Sequence, residues 1–299
     1  MKAREIKRKI KSIDNTRQIT RTMEMVAAAK IVKAKERIEA ARPYALKMVD
    51  LLHNVARFVS VLEHPLLEAR GSVENVLIVV MTSNRGLCGA FNTNVINRAE
   101  AIMRREEGEG RKVSFAVVGK KGDQHFRFRK RDVVNSYLDF GDQPHFSDAE
   151  DIGRTVMGMY EDGTVDKVYL VFNHFVTIIE HRSSEHVLLP IRAERVSKGS
   201  PLDEEETGSQ SLYIFEPEPP RELLRRLIPA YVETLVLRAL LESAASEHGA
   251  RRTAMKAATD NAGEMIEELT RSYNRARQTE ITMQIAEIVG GAEALKGTG

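Results

Sequence analysis

Apolar residues near the start of the chain recur with a helical period. Ile6, Ile10, Ile13, Ile19, Met23, Val26, Ile31, Ala34, Ile38 and Ala41 follow at steps of three and four, apart from one doubled step of three and one step of five. No glycine occurs from Lys2 to about Leu62. This spacing gathers the apolar side chains on one face and predicts a single long amphipathic helix over residues 1–62. At 1.5 Å per residue, ~60 residues make a rod of roughly 90 Å, several times the length of an average helix. Pro43 lacks an amide donor and crowds the preceding turn, so the rod is expected to kink or divide there. The strict heptad positions 17, 20 and 24 are Arg17, Thr20 and Glu24. This polar stretch reads either as a solvated face or register device, or as a contact surface for other chains.

The pattern changes over residues 73–193. Val76–Met81, Val113–Val118 and Lys167–Asn173 are short apolar runs that read as buried strands. Helical stretches at about Asn94–Glu106 and Ser147–Tyr160 lie between them, with Ser147 placed as an N-cap and Glu150 three residues on. Strands alternating with helices imply an α/β domain with a mainly parallel sheet. The run Val176–Leu189 adds a candidate antiparallel edge.

Residues 194–220 are rich in turn formers and acidic charge and read as a flexible linker. Residues 221–295 return to helical periodicity, with Pro229, Gly249, Gly263 and the Gly290-Gly291 pair as possible breaks. Their last seam, Ile281, Ile285, Ile288, Ala292 and Leu295, steps by four and three as in a coiled coil. Many alanines between positions 239 and 262 leave room for close approach by another helix. Two long helices at opposite ends of one chain pack together only if the chain returns on itself, so an antiparallel coiled coil is expected.

The 299 residues carry 45 basic and 43 acidic side chains, a net +2 that gives no global pull toward nucleic acid or an acidic membrane. Charge is instead local. Residues 1–50 hold fourteen Lys/Arg against six Asp/Glu, a formal +8 that should face an acidic or polar partner. The apolar stripe persists through this basic arm, which a nucleic-acid-tracking helix would not need, so no nucleic-acid partner is expected. No run of ~18 apolar residues occurs, and the charged start lacks a signal peptide's apolar stretch. The single cysteine, Cys88, excludes an intrachain disulfide, and no Cys/His cluster has metal-ligand spacing.

Two segments invite a test for ligand chemistry. Thr82–Asn92 follows a strand and precedes a helix, where α/β proteins hold phosphates. Its Gly86 and Gly89 fit neither dinucleotide nor P-loop spacing, and no Lys-Ser/Thr follows to hold a phosphate and a metal. A structural turn is the reading, and Gly119-Lys-Lys-Gly122 reads the same way as a strand-to-helix turn. Cys88 reads as a small buried or half-buried side chain rather than a reactive thiol, since no histidine neighbours it. His174, His181 and His186 cluster around one hairpin without nucleophile-base logic. No cofactor, metal or catalytic residue is expected.

Three ordered blocks resemble the γ subunits of F-type ATP synthases, over almost the whole chain. They are Ser12–Lys30 with Arg42-Pro43-Tyr44; Arg85–Gly89 with Asn92; and a tail containing Glu242-Ser243, Ser246–His248, Ala258–Ala262, Tyr273–Gln278 and Glu287–Leu295. The sequence departs from the family pattern at Ala90-Phe91 and at Met283-Gln284, where a glutamate is usual. The resemblance implies a fold in which the N- and C-terminal helices form a shaft, an antiparallel coiled coil, and a central Rossmann-like α/β domain forms the foot. It implies one copy per complex, enclosed by a hexamer of α and β subunits and meeting the ε subunit and the c-subunit ring. A shaft turned by proton or sodium flow would then drive catalysis in the hexamer without a catalytic site of its own. By the same resemblance Asn274, Arg277 and Gln278 are expected to contact β-subunit loops, with Met23 and Lys30 on the matching stretch of the first helix. Thiol control through an inserted cysteine pair, as in chloroplast members, is ruled out with Cys88 alone. The absence of a transit peptide points to a bacterial protein, peripheral at the cytoplasmic face of the cell membrane.

Overall fold

The computed structural model describes residues 3–56, 64–140, 143–177, 180–191 and 220–296. The expected linker at 194–220 lies outside the described residues, except for Pro220. The chain divides into two compact units, one of residues 1–27 with 251–299 and one of residues 28–250.

Helix α1 runs Ala3–Ala56 and helix α5 runs Pro220–Lys296, each unbroken. The expected division at Pro43 does not occur, nor do breaks at Pro229, Gly249, Gly263 or Gly290-Gly291. Pro43 is exposed, so the carbonyl it leaves without a helical partner can take water.

In the unit built from the chain ends, burial follows a heptad on both helices. On α5 the least exposed positions are Met255, Thr259, Ala262, Ile266, Leu269, Tyr273 and Ala276, at alternating steps of four and three. On α1 they include Ala3, Ile6, Ile10, Ile13, Thr20 and Ala27, the same alternation with Arg17 and Glu24 in the intervening places. The Thr259 hydroxyl donates to the Thr20 hydroxyl at 2.8 Å, and Thr20 Oγ1 donates to the Arg17 carbonyl at 3.0 Å. Thr20 is therefore a buried register device. Arg17, opposite the small Ala262 in this register, turns outward to Asp14 at 2.7 Å. Carried along the two heptads, the register sets Ile6 against Tyr273 and ends with Ala3 against Ala276.

Two sequence expectations fail here for one reason. Ile19 and Val26, read as part of the stripe, are 60% and 52% exposed, because the seam passes through their neighbours Thr20 and Ala27. Ile281, Ile285 and Ile288 are exposed likewise, because the alternation that runs to Ala276 continues through positions 280, 283 and 287 and passes beside them. The side chains of Ala292 and Leu295 lie outside the described residues.

The other unit holds a five-stranded sheet. Its elements are β1 (Asn75–Met81), α2 (Phe91–Gly108), β2 (Lys112–Val118), α3 (Lys120–Phe128), β3 (Val133–Tyr137), α4 (Phe146–Glu161), β4 (Lys167–Phe175) and β5 (His181–Leu189). The strand order is β3-β2-β1-β4-β5, with β5 antiparallel to β4 and the rest parallel. Central β1 is buried on both faces, which is why it reads as an unbroken apolar run. Val76, Ile78 and Val80 pack with α2 and Phe126 of α3. Leu77, Val79 and Met81 join a larger core with Ile152 and Val156 of α4, Leu52 of α1, and Ile228 and Val232 of α5. Helix α4 is capped two residues earlier than expected. Its N-cap is His145, in a capping box with Asp148, so Ser147 lies inside the helix.

Helix α5 is also tied to the sheet by charge. His174 Nδ1 meets Glu242, which receives Arg238 Nε at 2.9 Å. The hydrogen bond to Glu242 holds the His174 pKa above its ordinary value, against desolvation. Burial pushes the Glu242 carboxyl up, but the bonds from His174 and Arg238 outweigh it and leave it below its usual range. Glu106 at the opposite end of the sheet follows the same logic, 1% exposed and bonded by Tyr169 Oη at 2.5 Å, Lys167 Nζ at 3.3 Å and Arg111.

Two predictions follow from this packing. Gly119 has φ +91, and a Cβ there would lie 2.2 Å from the Thr82 carbonyl oxygen, whereas Gly163 at φ +74 faces open space. Gly119→Ala should lower unfolding free energy in urea by about 3 kcal/mol and Gly163→Ala by about 1 kcal/mol. The folded pKa of His174 is raised, so its contribution is fully present below the unfolded pKa of roughly 6.5 and is lost as pH rises through the folded value. His174→Gln should remove that alkaline-side decline from a stability profile measured between pH 6 and 9, ~3 units in all.

Candidate functional site

The C-terminal edge of a parallel sheet is where α/β folds bind ligands, at the point where strand order reverses. Here that point lies between β1 and β4, next to Thr82–Asn92. The loop's polar groups are taken up by one another. Ser83 N donates to Asn92 Oδ1 at 2.9 Å, and Asn92 Nδ2 donates to Ser83 Oγ at 2.8 Å and approaches Cys88 Sγ at 3.2 Å. Cys88 is 2% exposed, in keeping with a buried small side chain.

The N-terminus of α3, the nearest source of free amides for a phosphate, is likewise occupied. Lys120 N donates to Asn84 Oδ1 at 3.0 Å, Lys121 N to the Ser83 carbonyl at 3.1 Å and Gly122 N to Thr82 Oγ1 at 2.9 Å. Gly119 N, at the N-cap, donates to the Tyr137 carbonyl at 2.9 Å. All four amides that a helix start leaves without helical partners are thus bonded within the protein.

Helix α5 closes the crevice itself. Ser246 Oγ donates to the Asn173 carbonyl at 3.0 Å, and Asn173 Nδ2 donates to the Phe91 carbonyl at 3.0 Å. Leu240, Ser243 and Ala244 face Thr82 and Gly119 across a gap of only ≈ 50 Å³. Among the described residues, no group of three or more His, Cys, Asp and Glu is placed to hold a metal ion. His174 is engaged with Glu242 and His186 lies against Phe172, ring centroids 5.5 Å apart; the side chain of His181 is outside the described residues.

The surface of the helices is the more distinctive feature. Asn274, Arg277 and Gln278 are exposed, and their spacing of three and four puts them on one face of α5. Met23 is half-buried on α1. The Thr20–Thr259 register sets it opposite Lys256, eighteen residues or roughly 27 Å along α5 from Asn274. Lys30 is half-buried in the sheet-bearing unit, beside Ala34, Leu241 and His248. Within the unit of the chain ends, Met23 and the face of Asn274, Arg277 and Gln278 mark separate patches on helix surfaces.

Sequence reasoning missed a second set. Ile19, Met25 and Val26 on α1, and Met265, Met283 and Val289 on α5, are 51–62% exposed, and Ile281, Ile285 and Ile288 are 42–72% exposed. Large apolar side chains in this number on one pair of helices mark a surface that another molecule covers. The available signal was that Met25 lies off the apolar stripe of the first helix, and Met283 and Val289 off the Ile281-Ile285-Ile288 repeat.

The chain matches the ATP synthase family model over residues 2–295. It is 46% identical over 294 residues to the ATP synthase gamma chain of Desulforamulus reducens, covering 98% of this chain and 99% of that one. The gamma chain of Moorella thermoacetica is 43% identical over 293 residues, with coverage of 98% and 99%. In fold, the chain is similar to one in the cryo-EM structure of the Euglena gracilis mitochondrial ATP synthase with OSCP, F1 and the c-ring in rotational state 3. That match has a TM-score of 0.67 at 20% identity and covers 98% of this chain and 94% of that chain. A chain in the central stalk/c-ring structure of the Tetrahymena thermophila mitochondrial ATP synthase aligns with a TM-score of 0.59 at 25% identity, over 80% of this chain and 99% of that one. With near-complete coverage by gamma chains at this identity, the chain belongs to the ATP synthase gamma chain family.

Proposed function

We propose that this chain is the central rotor stalk of an ATP synthase, transmitting torque between a membrane c-ring and a catalytic hexamer of α and β subunits. The observation that supports it best is the paired-helix unit, stiffened by a heptad seam inside and covered with large apolar side chains outside. Helix α5 runs on to Lys296, and every described side chain from Arg277 to Gly290 is exposed. Such a surface suits enclosure by a sleeve of partner subunits. Contacts made by exposed polar side chains are individually weak and re-form readily, as a turning shaft requires.

The chain has no catalytic site in this reading, because the crevice that a nucleotide would use is filled by α5 and the amides that would bind it are taken. Nucleotide chemistry then belongs to the hexamer, and the choice of proton or sodium to the membrane ring. Residues 1–62 and 221–295 serve as the shaft, residues 73–193 as the foot that meets the c-ring and the ε subunit, and 194–220 as a linker. The bacterial relatives support a place at the cytoplasmic face of a cell membrane, held there by partners; no helix among the described residues is long and apolar enough to cross it. Asn274, Arg277, Gln278, Met23 and Lys30 are the proposed contacts with the β subunits.

Co-expression with cognate α and β subunits should give a complex with one copy of this chain per hexamer by native mass spectrometry; recovery of the free chain alone would overturn the reading. In that complex, Arg277→Ala and Gln278→Ala should each lower ATP turnover about two- to fivefold, in line with ~1 kcal/mol or less per exposed contact, without changing subunit stoichiometry. Turnover at the parent level in both variants would remove them from the contact surface.

A further inference from the structure

A cleft of ≈ 680 Å³ opens in the sheet-bearing unit between α1, α5, the end of β4 and the start of α4. Its volume falls in the range of small-molecule sites, ~300–1,000 Å³. Ile38 and Leu46 of α1, Leu237 and Leu241 of α5, Phe175 and Phe146 form its apolar walls. At the mouth Tyr44 and Phe146 are 53% and 44% exposed, so ring surface faces water that a bound molecule would displace.

The charged side chains in the lining are already engaged within the chain. Glu242 meets His174 Nδ1 and accepts from Arg238 Nε at 2.9 Å, and Arg42 has a partner as well. Thr234 is satisfied too, its Oγ1 donating to the Ala230 carbonyl at 2.7 Å. A charged ligand would give up its hydration and find these groups taken. An uncharged apolar one leaves every pairing intact and still displaces water from the walls. The rings of Tyr44, Phe146 and Phe175 offer flat faces and edges to an aromatic body in particular.

We propose that this cleft binds a neutral, mainly apolar small molecule with an aromatic body, held between Leu237 and Leu241 on one side and the rings of Tyr44, Phe146 and Phe175 on the other. The site is independent of the rotor reading, since every residue in it belongs to one unit of this chain and none is a proposed β-subunit contact.

Fluorescence titration of the full chain with phenylnaphthylamine, a neutral dye, tests this, with anilinonaphthalene sulfonate as the arm that adds an anionic group to the same ring system. The expected result is saturable binding of one phenylnaphthylamine per chain, at least about tenfold tighter than the sulfonate. Ala45 lines the cleft from α1, so Ala45→Trp should fill it and abolish binding. Tyr44→Ala, at an exposed position, should keep the fold by circular dichroism and weaken the neutral dye about threefold or more. Equal or tighter binding of the sulfonate, non-saturating uptake of several molecules per chain, or parental affinity in either variant would each overturn the proposal.

Discussion

The antiparallel register of α1 on α5 is the constraint on which the molecule depends. In the unit of the chain ends it is set by one hydroxyl pair, Thr20 and Thr259, in a seam that is otherwise small or apolar apart from Arg17 and Glu24. A hydrogen bond of this kind contributes only ~1 kcal/mol, yet a slip by one heptad would set Thr20 against Ile266 or Arg252 and leave the Thr259 hydroxyl only its bond to the Met255 carbonyl. The pair therefore specifies alignment more than it supplies stability, the use that polar seam positions have in coiled coils generally. Where the seam ends follows directly. With Ala3 opposite Ala276, the described side chains of α5 from Arg277 to Gly290 are all exposed, the isoleucines among them.

In the sheet-bearing unit the same two helices have a different task. Ala34 shares a cleft with Leu241 and Ala244, while Leu52 and Val55 join the core that contains Leu224 and Ile228, so the pairing is antiparallel there too. Helix α5 also crosses the sheet's C-terminal edge, where Ser246 bonds to Asn173 and the Arg238-Glu242-His174 chain of charges ties helix to strand. An α/β sheet whose ligand crevice is filled by its own helix keeps the architecture of a nucleotide-binding domain and gives up the cavity. The domain becomes a support for helices.

Much of the fold was legible in the sequence because burial writes strong patterns. The unbroken apolar runs of β1, β2 and β4 and the three-four spacing of the terminal helices were readable for that reason, and so was the antiparallel edge β5. Strand β3 was not, because Val-Val-Asn-Ser-Tyr at a sheet edge is half polar, and α3 was not, because only Gly122 and Phe126 of its nine residues are buried. Ile19 and Val26 drew the stripe off its true line, since sequence hydrophobicity ranks isoleucine above the threonine and alanine that a tight seam prefers. The seam beyond residue 280 was misread because the repeat of Ile281, Ile285 and Ile288 is one residue out of phase with the alternation that burial marks up to Ala276. The contact residues Met23, Lys30, Asn274, Arg277 and Gln278 came from family resemblance. Periodicity alone identifies an exposed helix face but not what lies against it.

A stiff, register-locked pair of helices with an apolar exterior, attached in sequence to a domain with a filled crevice, is suited to turning inside other subunits rather than to chemistry of its own. The most direct test is to fix an α/β hexamer containing this chain to a surface, attach a bead to a cysteine placed on the exposed face of α3, and follow the bead while ATP is hydrolysed. Unidirectional stepwise rotation that stops when ATP is withdrawn is the predicted result. ATP hydrolysis at full rate with a stationary bead would contradict the account.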